Sequence, residues 1–112
     1  MTSGPILKIC GITRLTDALH AVQHGATALG FNFWPHSPRY VTPERAGDII
    51  AELPPSMTMV GVFVNEPVEG IRAVVKRSGI GVVQLHGEEA AAYADALDWP
   101  ILRALSVADA DE

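Results

Sequence analysis

The chain has 112 residues, eight basic and thirteen acidic side chains, a formal net charge of −5 and a hydrophobic fraction of 48 %. That is one small domain's worth of protein, and it excludes a disordered tail, a fibre and, for want of a basic field, a nucleic-acid binder. No run reaches the ~18 apolar residues that cross a bilayer, so no membrane partner is expected. Cys10 has no second cysteine to pair with, and the opening MTSGPILKIC does not read as a secretory signal, so the chain fits a reducing cytoplasm.

Residues 5–10 (PILKIC) read as a first strand. Thr16 or Asp17 is placed to cap a helix that runs through Ala18, Leu19 and Val22 and stops at Gly25. Residues 28–33 (ALGFNF) form a second strand, and a loop rich in turn residues follows over 34–41. Thr42, Pro43 and Glu44 supply a cap, a first-position proline and a first-turn acid, and the helix they open ends near Leu53, before Pro54 and Pro55. Residues 58–64 (TMVGVFV) are a β-branched third strand. Pro67 opens a helix that closes near Gly79, and residues 82–86 (VVQLH) make a fourth strand. An alanine-rich helix over 89–97 and a fifth strand over 101–107 complete the order βαβαβαβαβ.

That order suits two α/β folds, the open doubly wound sheet and the (β/α)8 barrel. Alternation separates them. Lys8 and Cys10 oppose Leu7 and Ile9, Gly30 and Asn32 oppose Leu29, Phe31 and Phe33, and Val82, Gln84 and His86 oppose Val83 and Leu85. In the third strand, Met59, Gly61, Phe63 and Asn65 are assigned to the face that carries polar groups, opposite Val60, Val62 and Val64. In the fifth, Ile101 and Arg103 are assigned opposite Leu102 and Ala104. Strands with one polar-marked face fit a barrel, whose helices lie only outside, better than a doubly wound sheet covered on both sides. The first helix also lacks a glycine fingerprint for dinucleotides. A full barrel typically needs ~200 to 250 residues, so residues 1–112 read as the N-terminal part of a single barrel domain, contributing five strands and four helices. Its first and fifth strands would then be open edges, available to a C-terminal half-barrel or to self-association.

The strand ends carry the chemistry. Cys10 is the sharpest candidate: it ends a strand, Gly11 follows it, and Lys8 lies two residues back on the same face, where an ammonium favours a thiolate. The bland alternative is a small buried hydrophobe, and for Lys8 an interior pairing role. Asn32, Asn65, Gln84, His86 and Arg103 join the rim, with Trp34, His36, Arg39 and Tyr40 from the loop after the second strand. Arg39 suits a carboxylate clamp, because a guanidinium matches a carboxylate bidentately, although a solvated loop charge is the commoner role. His20 and His24 have a metal-pair spacing but lack the zinc-protease context and read as surface residues, so no metal is assigned.

Lys8-Ile9-Cys10-Gly11-Ile12-Thr13, Gly30-Phe31-Asn32-Phe33 with Ser37-Pro38-Arg39-Tyr40-Val41, Gly61-Val62-Phe63-Val64-Asn65, and Gln84-Leu85-His86-Gly87 together resemble the phosphoribosylanthranilate isomerase family of tryptophan biosynthesis. The resemblance covers essentially the whole chain and about the first half of that family's barrel. It implies a phosphorylated small-molecule substrate, N-(5-phosphoribosyl)anthranilate, rearranged to the 1-(2-carboxyphenylamino)-1-deoxyribulose 5-phosphate with no cofactor. By the same resemblance Cys10 is the general base and Arg39 the contact of the substrate carboxylate. The same resemblance puts His86 in the substrate pocket, and Lys8, Asn32 and Gln84 are assigned to substrate binding from their places on the polar-marked strand faces. The family's general acid follows the sixth strand and its phosphate site follows strands seven and eight, regions that these residues do not include, so Asp109 and Asp111 are not assigned as the acid. Two other readings stand beside this one: an inactive half-barrel that serves assembly, and a cysteine hydrolase built on Cys10, His86 and Asn65.

Overall fold

Five parallel strands follow one another around a curved sheet in the order β1-β2-β3-β4-β5. A computed structural model describes residues 8–86, 97 and 99–104. In it the strands are β1 (Lys8–Ile9), β2 (Ala28–Asn32), β3 (Thr58–Phe63), β4 (Val82–His86) and β5 (Ile101–Ala104). The helices are α1 (Leu15–Gln23), α2 (Pro43–Ile50) and α3 (Val68–Ser78). The helix expected over 89–97 falls outside the described residues except for Leu97, and residues 105–107 of the expected fifth strand also lie outside them. A doubly wound sheet reverses its strand order at a switch point. This sheet never reverses, and all its pairings are parallel, so it is part of the wall of a (β/α)8 barrel.

The helix ends follow local chemistry. Thr42 Oγ1 accepts from the Arg45 N–H at 3.2 Å, and Pro43 occupies the first position of α2. α2 stops at Ile50 rather than near Leu53, because the chain tightens into three-residue bonds, Glu52 N to Ile49 O and Leu53 N to Ile50 O, both 3.0 Å. α3 closes on Gly79, whose φ of 88° lies in the left-handed region that glycine adopts freely. For α1 the expected cap is corrected. The helix starts at Leu15 with Arg14 at the cap and no side-chain bond there, and Asp17 sits in the first turn. Leu15 packs partly buried against the core, which brings the first turn forward and leaves Thr16 and Asp17 already helical.

Register decides which face each strand gives to the helices. Lys8 pairs with Ala28, Gly30 with Val60, and Val62 with Gln84, so Lys8, Cys10, Gly30, Asn32, Val60, Val62, Val82 and Gln84 share the concave face. Leu29 pairs with Met59, Phe31 with Gly61, and Phe63 with Leu85, and these belong to the helix-covered face. The sequence-based assignment of β3 was therefore inverted. Met59 and Phe63 are buried under the helices, not turned to the barrel interior. Apart from Thr58 at its start, β3 is apolar on both faces, and Asn65, the polar residue that marked a face in the sequence, lies beyond the strand end on left-handed backbone at φ 54°. Alternation does not carry through such a residue. In β5, Leu102 pairs with Gln84 and Arg103 with Leu85.

The core lies between the helix-covered face and the helices. Leu29, Phe31, Phe63, Val83 and Leu85 from the sheet meet Ala18, Ala46, Ile49, Ile71 and Val75 from the helices, all buried. Phe33 and Phe63 stack with ring centroids 5.4 Å apart. β1 itself is held by its pairing with β2, and Ile12, two residues past Cys10, is buried in this layer.

Candidate active site

Cys10 follows β1 directly, is exposed, and is a free thiol. Its backbone leaves the strand through Gly11, whose φ is 82°. The N–H groups of Gly11 and Ile12 both donate to Gly30 O, each at 3.1 Å, which ties the turn after Cys10 to the middle of β2. The thiol lies on Gly30 itself: a Cβ built on Gly30 would stand 2.7 Å from Cys10 Sγ.

Arg39 reaches the same place from the loop after β2. Asn32 and Ser37 shape that loop. Asn32 Oδ1 accepts from the Trp34 N–H at 2.9 Å, Ser37 Oγ accepts from the Arg39 N–H at 3.0 Å, and Val41 N–H returns to Asn32 O at 3.0 Å. The Arg39 side chain then lies over Gly11, where a Cβ would come within 3.0 Å of Nη1. Cys10, Gly11 and Arg39 line one cleft of about 360 Å³ with Ile9, Ile12 and the α1 residues Asp17, His20, Ala21 and His24. Arg45 Nε donates to Thr13 O at 2.9 Å and joins the loop after β1 to α2.

The other sequence-based candidates are placed differently. Lys8 Nζ donates to Gln84 Oε1 across the concave face, so these two meet each other below the rim. The Asn32 side-chain oxygen is engaged by the loop it supports. His86 ends β4 opposite Ala104, and its side chain lies outside the described residues. His24 Nδ1 lies 2.8 Å from His20 O and the two rings meet edge to face at 4.4 Å. Among the described residues no cluster of His, Cys, Asp or Glu could hold a metal ion, and no helix is long and apolar enough to cross a membrane.

Sequence reasoning missed that the Cys10 thiol sits on Gly30, that the Arg39 side chain lies over Gly11, and that α1 contributes to the cleft wall. Gly30 was legible in principle, because it is the β2 residue on the Cys10 face that falls beside the end of β1. The cleft-facing side of α1 carried no such signal: Asp17, His20 and His24 look like any solvated helix face.

Residues 7–112 match the family model described as N-(5'phosphoribosyl)anthranilate (PRA) isomerase. The chain is 50 % identical over 101 residues to the N-(5'-phosphoribosyl)anthranilate isomerase of Syntrophus aciditrophicus, covering 89 % of this chain and 44 % of the relative. It is 50 % identical over 103 residues to that of Geobacter sulfurreducens, covering 92 % and 51 %. The crystal structure of the phosphoribosyl anthranilate isomerase from Thermotoga maritima superposes with a TM-score of 0.85 at 46 % identity, over 89 % of this chain and 50 % of that one. A structure of such an isomerase in complex with reduced 1-(o-carboxyphenylamino)-1-deoxyribulose 5-phosphate superposes equally well, at 0.85. The chain spans about half the length of the curated relatives it matches. With the strand order, the strand-end cysteine and the arginine loop, these likenesses place the chain in the N-(5'-phosphoribosyl)anthranilate isomerase family.

Proposed function

We propose that the chain supplies the general base and the carboxylate clamp for the Amadori rearrangement of N-(5-phosphoribosyl)anthranilate to 1-(2-carboxyphenylamino)-1-deoxyribulose 5-phosphate. The observation that carries this reading is that Cys10 and Arg39 line one cleft, with the Arg39 side chain over Gly11, the residue next to the thiol.

An acid protonates the ring oxygen of the furanose, the C1–O bond opens, and the nitrogen lone pair forms the iminium. The Cys10 thiolate then takes the C2 proton, the C2–H electrons neutralise the iminium, and the resulting enolamine tautomerises to the ketone. A positioned thiolate can serve as the general base for such a carbon acid. Arg39 holds the anthranilate carboxylate in a fixed plane, which orients the sugar carbons toward the thiol. By the family resemblance, the acid and the phosphate anchor come from later strands of the barrel that these residues do not include. The relative crystallised with a reduced product analogue supports the substrate class.

Joining these residues to the C-terminal half of the Geobacter sulfurreducens relative tests the reading. The joined barrel is expected to turn over N-(5-phosphoribosyl)anthranilate, and the 112-residue chain by itself is expected to give none. A well-folded joined barrel without turnover would overturn the proposal.

A further inference from the structure

We infer that Gly30 is a positioning residue for the Cys10 thiol: it is the seat that fixes where the base stands, and a side chain there would move the base without touching substrate. This rests on the isomerase reading and deepens it.

Three observations converge on Gly30. A Cβ at this position would lie 2.7 Å from Cys10 Sγ, 3.3 Å from Cys10 Cα and 3.5 Å from Cys10 Cβ. The first distance is below any real carbon–sulfur contact, while the other two are tight or ordinary. Added bulk therefore acts first on the thiol. Gly30 is also buried in the middle of β2, hydrogen-bonded into the sheet between its neighbours, so the strand cannot back away from β1 to make room. Its carbonyl accepts from both Gly11 and Ile12, which holds the Cys10 backbone in place at the same time. The easiest relief of a Cβ at position 30 is rotation of the Cys10 side chain about its Cα–Cβ bond into another staggered well, and that swings Sγ away from its present position.

No backbone strain calls for glycine here. Among the described residues the glycines with left-handed φ are Gly11, Gly25 and Gly79, and Gly30 is not among them. The requirement at position 30 is for space, and the atom that fills the space is the sulfur of the proposed base.

The test is Gly30→Ala, made alone and in a Cys10→Ala background, with two measurements. Chemical denaturation of the 112-residue chain reads the contact without any need for turnover. The denaturation midpoint is expected to fall on Gly30→Ala and to be largely recovered in the double variant, because the short contact leaves with the sulfur. If Gly30→Ala prevents folding, recovery of folding in the double variant supports the seat. An equal loss in both backgrounds, or two variants that both fail to fold, overturns it and makes the glycine a matter of backbone packing.

The second measurement is the KM against kcat split in the joined barrel. Displacing a catalytic group by about 1 Å costs on the order of 100-fold, so kcat is expected to fall about 10- to 100-fold while KM stays within about two-fold. In the Cys10→Ala background the remaining turnover is expected to be insensitive to the change at position 30. An unchanged kcat in the folded Gly30→Ala barrel overturns the positioning role. A parent barrel without turnover instead counts against the isomerase reading, and the denaturation cycle still decides the contact.

Discussion

Lys8 Nζ donates to Gln84 Oε1 across the concave face, although β1 pairs only with β2 and β4 pairs only with β3 and β5 among the described residues. In a flat sheet three strand spacings would separate β1 from β4 by about 14 Å, a gap that side chains standing perpendicular to the sheet do not bridge. The bond exists because the sheet curls. It is a direct mark of barrel curvature, and it ties the strand that presents Cys10 to the strand that ends in His86.

Gln84→Leu removes the acceptor and leaves the Lys8 ammonium to solvent. A hydrogen bond to a charged group contributes about 1.5 to 3 kcal/mol, and partial exposure of this pair reduces that to roughly 1 kcal/mol. Urea denaturation is expected to show a loss of this size, and the same substitution in a Lys8→Met background is expected to cost little. Equal losses in the two backgrounds would mean that the bond does not contribute.

Gly61 is filled from the helix side. A Cβ there would lie 2.1 Å from Ile80 Cδ1 and 3.0 Å from Phe33 Cε2. Overpacking of this kind costs about 1 to 3 kcal/mol, so Gly61→Ala is expected to lower the unfolding free energy by that amount. Ile80→Val deletes the nearest methyl group and is expected to restore part of the loss in the double variant. A double variant less stable than Gly61→Ala alone would contradict this packing.

Arg39 is exposed and its side chain lies over Gly11, so Arg39→Ala is expected to leave folding nearly unchanged. Loss of one charge-assisted bond of about 1.5 to 3 kcal/mol predicts a ten- to hundred-fold weaker binding of a carboxylate-bearing product analogue to the joined barrel. Arg39→Lys is expected to recover only part of this, since an ammonium lacks the planar fork. Calorimetric titration gives the dissociation constants, and a value unchanged by Arg39→Ala would remove the clamp.

Much of this was readable from the chain. β4 matches its expected span, 82–86, and the Thr42-Pro43-Glu44 signal opens α2 where the capping chemistry requires. The parallel order followed from strands alternating with helices. The faces of β3 were not readable, because Met59, Val60, Val62 and Phe63 are apolar on both sides and the polar marker, Asn65, stands past the strand end. The partners of the Lys8, Asn32 and Gln84 side chains were not readable either. A polar residue on a concave strand face faces ligand or another side chain with equal ease in sequence, and only geometry shows that Lys8 meets Gln84 and that Asn32 meets the backbone of Trp34.

The most direct test of the account is the turnover of N-(5-phosphoribosyl)anthranilate by the joined barrel with and without Cys10→Ser. A positioned base typically contributes 10²- to 10⁴-fold, so kcat is expected to fall by about 100-fold or more while binding of the product analogue stays within about two-fold. Near-parental kcat in the folded, analogue-binding Cys10→Ser barrel would contradict the assignment of the base and, with it, the mechanism built on the end of β1.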